Sequence, residues 1–415
     1  MLKFYIIKHG MESKTESKTE SKTESKTEIK TEIMMTTKDI KILASYPNKC
    51  AIKRVNTSNW NVSKVITLKN CFCKCPLTNL DVSNWDTSNV ITLKHCFYRC
   101  PLTSLDVSNW NTSKIISLSH CFGYTSLKSL DLSNWDTSKV RNMNHCFSHC
   151  KELCNLDLTS WNTSSVIDMS DCFSKCASLR SLDLSNWNTS NVNTLLRCFS
   201  GCTDLKSLDL SNWDISNVEN MYRCFAKCAE LRDLDVSNWN TSKVRILDSC
   251  FSGCTSLRSL DLSSWNISNV YTLDQCFAGC TKLRSLDLSN WDISNVGYMC
   301  RCFARCRSLE SLDLSNWNTS DVCFLDQCFE GCTDLKSLDL SSWDTSKVVN
   351  MSSCFAGCTS LIYLNIENWI IKNRCFINHI FDRCNNLSII KCRLDTFEKL
   401  LNNEWRYENG IALRL

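Results

Sequence analysis

Tryptophan recurs along this chain like a ruler mark, at Trp60, Trp85, Trp110, Trp135, Trp161, Trp187, Trp213, Trp239, Trp265, Trp291, Trp317, Trp343 and Trp369. The first three spacings are 25 residues and the following nine are 26. A fixed period of this length is the mark of a repeat array, because one unit cannot bury its own apolar edge and must stack on its neighbours. A length of 415 residues therefore reads as one extended solenoid rather than as several globules. The residue missing from each short unit lies between the Cys-Phe pair and the next Leu, as in Cys71 to Leu77 against Cys198 to Leu205. That position is expected to be a turn that tolerates deletion.

One unit, residues 205–228, shows the expected local structure. Leu208 and Leu210 alternate with Ser207, Asp209 and Ser211, the period of two that marks a short strand with one buried face. After Trp213 the apolar positions fall at spacings of three and four, through Val218, Met221, Cys224, Phe225 and Cys228. This spacing predicts a short helical or 3₁₀ segment. The expected fold class is thus an α/β repeat solenoid: a leucine-rich-repeat-like right-handed coil stack, with one parallel β-sheet face and short helical or 3₁₀ segments opposite. About fourteen stacked strands at ~4.8 Å would give a sheet roughly 65 Å long.

Four regions are expected. Residues 1–35 form a disordered N-terminal segment, because residues 12–28 repeat Glu-Ser-Lys-Thr, putting Lys14, Lys18 and Lys22 at helical spacing with no apolar residue among them. Residues 36–59 form an N-terminal cap and first strand, with a short helix near 38–46 and Ile52, Val55 and Thr57 in strand positions. The solenoid itself covers 60–390, about thirteen units. Residues 391–415 form a C-terminal cap: Ile380 replaces a recurring Cys, Leu387 and Ile390 make a last strand, and 396–405 is expected to be a helix closing the core.

The run Leu-x-x-Leu-Asp-Leu-Ser-Asn-Trp-Asp/Asn-Thr/Ile-Ser-Asn/Lys-Val, continued by Cys-Phe-x-x-Cys-Thr-x-x-Leu, resembles the BspA-type leucine-rich-repeat surface-protein family, also described for mycoplasma lipoproteins. The resemblance covers about residues 50–390. It departs from the family at the residue before Phe, commonly Met there and Cys here, as at Cys198, Cys224 and Cys250. The resemblance implies a curved solenoid used for adhesion or protein binding, often at a cell surface.

With 31 Cys, both a disulfide-rich secreted protein and a reduced intracellular one are open readings. The first ten residues hold only a short apolar run at 4–7, no stretch reaches eighteen consecutive apolar residues, and 410–415 is neither a lipidation box nor a sorting tail. A cytoplasmic, reduced protein without a transmembrane segment is the default expectation, and the cell or particle surface is the alternative. The two Cys columns, such as Cys224 and Cys228, lack the usual zinc-knuckle spacing. Cys121 has no partner four residues on, and Cys384 none four before, so packing is preferred over disulfides between coils or metal binding. His95, His120 and His145 share one position in successive coils, where a shared metal ion and an exposed polar column are the two readings.

The strand face carries the candidate binding residues. Asp81, Asp106, Asp131, Asp157, Asp183, Asp209, Asp235, Asp261, Asp287, Asp313 and Asp339 recur at one position and are expected to form a carboxylate ladder ended by Asn56 and Asn365. Neighbouring charges repel by ~1 kcal/mol in water at such spacing. Lys128, Arg180, Lys206, Arg232, Arg258, Arg284 and Lys336, three residues earlier, and the flanking Ser hydroxyls are the expected offset. The ladder reads either as self-satisfied or as a strip for a basic protein partner or cations.

Sequons such as Asn188-Thr-Ser are by-products of the repeat. The 47 basic and 43 acidic residues are spread evenly, which disfavours nucleic acid as partner. No phosphate loop, nucleophile elbow or metalloprotease helix occurs, and near-identical coils are poor material for one asymmetric catalytic constellation. Neither an enzyme nor a cofactor is expected. The expected function is a protein-binding scaffold with partner and oligomeric state open; a surface structural or adhesion protein and a thiol-rich metal or redox buffer are the alternatives.

Overall fold

The computed structural model describes residues 55–57 and 60–415. The expected N-terminal segment (1–35) and most of the expected N-terminal cap (36–59) lie outside the described residues. From Trp60 onward the chain winds into stacked coils of 25 or 26 residues. Parallel strands β1 (Ser129–Leu130), β2 (Asn155–Leu156), β3 (Ser181–Asp183), β4 (Ser207–Asp209), β5 (Asp233–Asp235), β6 (Ser337–Asp339), β7 (Tyr363–Asn365) and β8 (Ile389–Lys391) build the first face. Each residue pairs with the one a period away, as Ser207, Leu208 and Asp209 do with Asp233, Leu234 and Asp235. The central Leu of each strand is turned inward and its flanking residues outward, as a period of two requires. Leu260, Leu286 and Leu312 are buried at the same position in coils without a regular strand.

A second face runs down the other side. Twelve single parallel bridges link the coils in one unbroken series, from Thr67–Thr92 to Asn350–Phe376. The sequence spacing here suggested helix, and the structure gives turns instead. Arg223 and Lys227 have φ of 55° and 62°, left-handed values that no right-handed helix contains. Consecutive amides alternate in direction: Cys224 and Cys228 bond within the coil, to Met221 and Phe225 carbonyls, while Arg223 and Phe225 bond to Asp248 and Cys250 in the next coil. The backbone is therefore satisfied between coils, not along a helix axis.

Between the two faces the core is a set of columns. Phe225 and Phe251 stack at 5.6 Å with planes 7° apart, and Trp213 and Trp239 at 6.5 Å and 9°. Each buried indole needs a partner for its N–H; Trp213 donates to the Leu184 carbonyl of the preceding coil at 3.3 Å. After the last coil comes helix α1 (Leu394–Leu400) and then a hairpin, β9 (Trp405–Glu408) with β10 (Ile411–Arg414). The expected helix at 396–405 is thus shorter and starts earlier. Strand β10 pairs antiparallel with β8 and extends the sheet beyond the last coil. Asn409 and Gly410 both have positive φ, the two-residue turn that a tight hairpin requires.

Candidate binding faces

The strand leaves Asp209 pointing outward just before the chain turns toward Trp213. Its Oδ1 accepts the Ser211 amide at 3.0 Å and the Ser211 hydroxyl at 2.7 Å, an Asx turn that fixes the corner. The same pair recurs at Asp81, Asp131, Asp183 and Asp261 with their own Ser, and at Asp157 with Thr159. The hydroxyl first, and the amide second, hold the carboxyls of Asp131, Asp183, Asp209 and Asp287 below their ordinary range. Asp287 also feels Asp261 and Asp313, which push it upward. The carboxylates therefore do share one face, ionised and exposed, and Asn365 closes their far end by donating to Asp339 at 3.1 Å.

The expected basic offset takes a different form. Among the described residues none of Lys128, Arg180, Lys206, Arg258, Arg284 or Lys336 is ion-paired with a ladder Asp, and Arg232 meets Glu230 at 3.7 Å. Three residues of extended chain span ~10 Å, which puts those cations at the other end of the strand. The Ser hydroxyls and amides stabilise the ladder instead.

A second outward surface, which the sequence reading passed over, follows the bridge series. Its side chains change from coil to coil: Ile66, Ile91 and Ile116 are exposed early in the array and Tyr271 and Tyr298 late. The available signal was this variation itself, against columns held nearly constant elsewhere. The His column lies here. The His120 ring is 4.4 Å from His95 and 4.3 Å from His145, the latter pair stacked at 26°. Stacked imidazoles aim their in-plane nitrogens side by side, not at a common point, so the geometry fits the polar-column reading rather than a metal. Ser119 and His120 Nδ1 lie 3.0 Å apart. Burial, then neighbouring cations, lower His120 to about 3 and His149 to about 4.

Both Cys columns are buried, and 29 of the described cysteines are free thiols; Cys75 is disulfide-bonded. Burial pushes Cys202 and Cys280 up to about 12. Thiols of the second column also have a bonding role: Cys228 Sγ donates to the Phe199 carbonyl at 3.2 Å and Cys254 Sγ to Phe225 at 3.2 Å. Where the column lacks Cys, Thr125 stands, with its hydroxyl 3.3 Å from Cys150 Sγ. Among the described residues no cluster of His, Cys, Asp or Glu could hold a metal ion. No helix among them is long and apolar enough to cross a membrane. The hollow beside Arg305, Glu330, His379 and Asp382 is open to solvent and polar.

A family model described as "Mycoplasma protein of unknown function, DUF285" matches residues 41–155, 116–235, 221–312 and 305–391. Among solved structures the chain is similar to a leucine-rich repeat protein from Bacteroides ovatus, at 18% identity over 71% of this chain and 73% of that one, with a TM-score of 0.42. A leucine rich cell surface protein from Faecalibacterium prausnitzii is 18% identical over 68% of this chain and 84% of that one, with a TM-score of 0.34. The functional domain of InlJ from Listeria monocytogenes, described as including a cysteine ladder, is 17% identical over 77% and 61%, with a TM-score of 0.22. No curated protein matches the sequence.

Proposed function

The chain belongs to the family described as "Mycoplasma protein of unknown function, DUF285", and within it we propose that the chain is a non-enzymatic protein-binding scaffold. The family match agrees with the BspA-type leucine-rich-repeat resemblance of the coils. The observation that carries the proposal is the Asp ladder: ionised carboxylates presented at one coil spacing, each already oriented by its own Ser. Pre-ordered side chains lose little entropy on binding, and a repeated contact multiplies a weak affinity. A protein partner with basic side chains in a row is the complement.

The face can be discharged without unfolding it. Asn188 accepts the Ser190 amide and hydroxyl at 3.1 and 2.7 Å, the same Asx turn with a neutral side chain. Replacing Asp183, Asp209, Asp235 and Asp261 by Asn together is expected to leave the melting temperature within a few degrees and to abolish capture of partners from cell extract. Equal capture by both proteins would remove the ladder from the binding face. No partner captured by the natural chain would remove the scaffold reading.

One observation favours the surface alternative, a structural or adhesive component of a cell or particle: the disulfide at Cys75, since such bonds persist in oxidising compartments. Recovery of the protein solely from the soluble cell interior would exclude it. The thiol-buffer alternative is weakened by the sealed Cys columns, because a thiolate is the form that binds metal or attacks an oxidant.

A further inference from the structure

The bridge-series face differs from the strand face in being polarised along its length. Counting coils from Trp60, the first three expose Ile66, Ile91 and Ile116 at 60%, 39% and 47%, beside Lys69 and Lys94. The ninth and tenth expose Tyr271 and Tyr298, each at 47%, and Tyr298 stacks on Phe324 at 5.3 Å. Beside them stand Asp248, Asp274 and Asp326, engaged only by Thr272, the Cys300 amide at 2.7 Å and the Cys300 thiol at 3.1 Å. Nearby Arg301 turns to Gln327. Among the described residues no ion pair reaches Lys94, Arg141, Glu219 or Asp274. One end thus offers aliphatic side chains with cations, and the other aromatic side chains with carboxylates.

We propose that this face joins two copies of the chain, antiparallel, about a two-fold axis between the fifth and sixth coils. An axis lying in the interface along the strand direction sets coil n against coil 11 − n of the other copy and keeps each residue column facing itself. Lys94 of the second coil then meets Asp274 of the ninth, in the same column. Ile91 meets Tyr271 in the neighbouring column. In that column Arg141 of the fourth coil meets Glu219 of the seventh, both exposed. Each contact is made twice, as an isologous interface demands. The complementarity lies between the two ends of one surface, which is why a second copy is the fitting occupant. Ten coils at ~4.8 Å span roughly 48 Å, long enough for an interface of standard size, ~800 Å² per partner.

The full chain is tested by light scattering behind a sizing column across a range of concentrations. A mass of twice 47.6 kDa is expected. Arg141→Glu sets Glu against Glu219 of the other copy, and Glu219→Arg sets Arg against Arg141; each alone is expected to weaken dimerisation roughly tenfold or more, through like-charge contact made twice. The double variant restores opposite charges and is expected to dimerise within about threefold of the natural chain. Both residues are exposed, and unchanged thermal melts check that the variants fold. A monomer up to the highest soluble concentration would overturn the proposal. So would a dimer indifferent to the single changes, or one lost on a single change and not recovered in the double. The face differs from the Asp ladder, so this result and the partner-capture result stand apart.

Discussion

Cys228 sits in a column that could have been filled by any small apolar residue, and its thiol is used as a donor. The Phe199 carbonyl receives Cys228 Sγ in addition to the Cys202 amide. Thr125, which also carries a donor, fills the one coil without Cys there. Cys228→Ala is therefore expected to cost about 1–3 kcal/mol, from the small void and the lost bond, and Cys228→Thr less, both read from urea unfolding. A Thr variant no better than Ala would show that the donor is irrelevant. The burial of these columns was legible in the sequence, since Cys121 and Cys384 each stand without a partner in their own coil. The bond was not, because its acceptor lies 29 residues away, one coil back. The Lys and Arg column was misjudged for a related reason: three residues in sequence look adjacent and stand at opposite ends of a strand.

At the scale of one turn segment, apolar spacings of three and four describe a helix and also a run of tight turns, since both bring every third or fourth side chain inward. What separates them is the left-handed pair in each coil. Gly201, Gly253, Gly279, Gly331 and Gly357 mark one of these positions, and that recurrence was a readable sign against helix. Arg, His and Lys at the others concealed it. The same turns place the His stack, whose depressed pKa values make stability depend on acid. In the unfolded chain His120 and His149 titrate near 6.5, whereas folded they titrate at about 3 and about 4. The unfolded chain thus binds protons first as pH falls. The contribution is complete above pH 6.5 and is lost progressively toward pH 4 and then 3. Because the rings are half-exposed, the loss from His120 between pH 7 and 5 is of order 1 kcal/mol after allowing for solvent screening. His120→Asn, the residue that Asn70 supplies natively at this position with φ of 60°, should lose less over that interval in denaturant titrations. Equal losses would mean that the stack does not set the acid sensitivity.

For the whole molecule, the period was the legible quantity, because thirteen Trp with constant spacing admit stacking and little else. The C-terminal end was less so: a short amphipathic run, 394–400, and the Asn409-Gly410 turn signal were merged into one expected helix, although that turn sets β10 against β8. An array held by contacts between neighbouring coils has a stability close to a sum over coils and their interfaces. Excising residues 205–230 joins Asp204 to Leu231, which occupies in its coil the place of Leu205. Every column then closes again: Cys202 meets Cys254 and Trp187 meets Trp239. The shortened chain should fold, keep a single unfolding transition, and show a urea m-value lower by roughly one part in thirteen, since the slope follows the surface exposed. Excising only residues 205–217 removes half a coil and sets strand against turn; it should unfold the array or split its transition. If both deletions behave alike in urea and in circular dichroism, the columns do not hold this protein together.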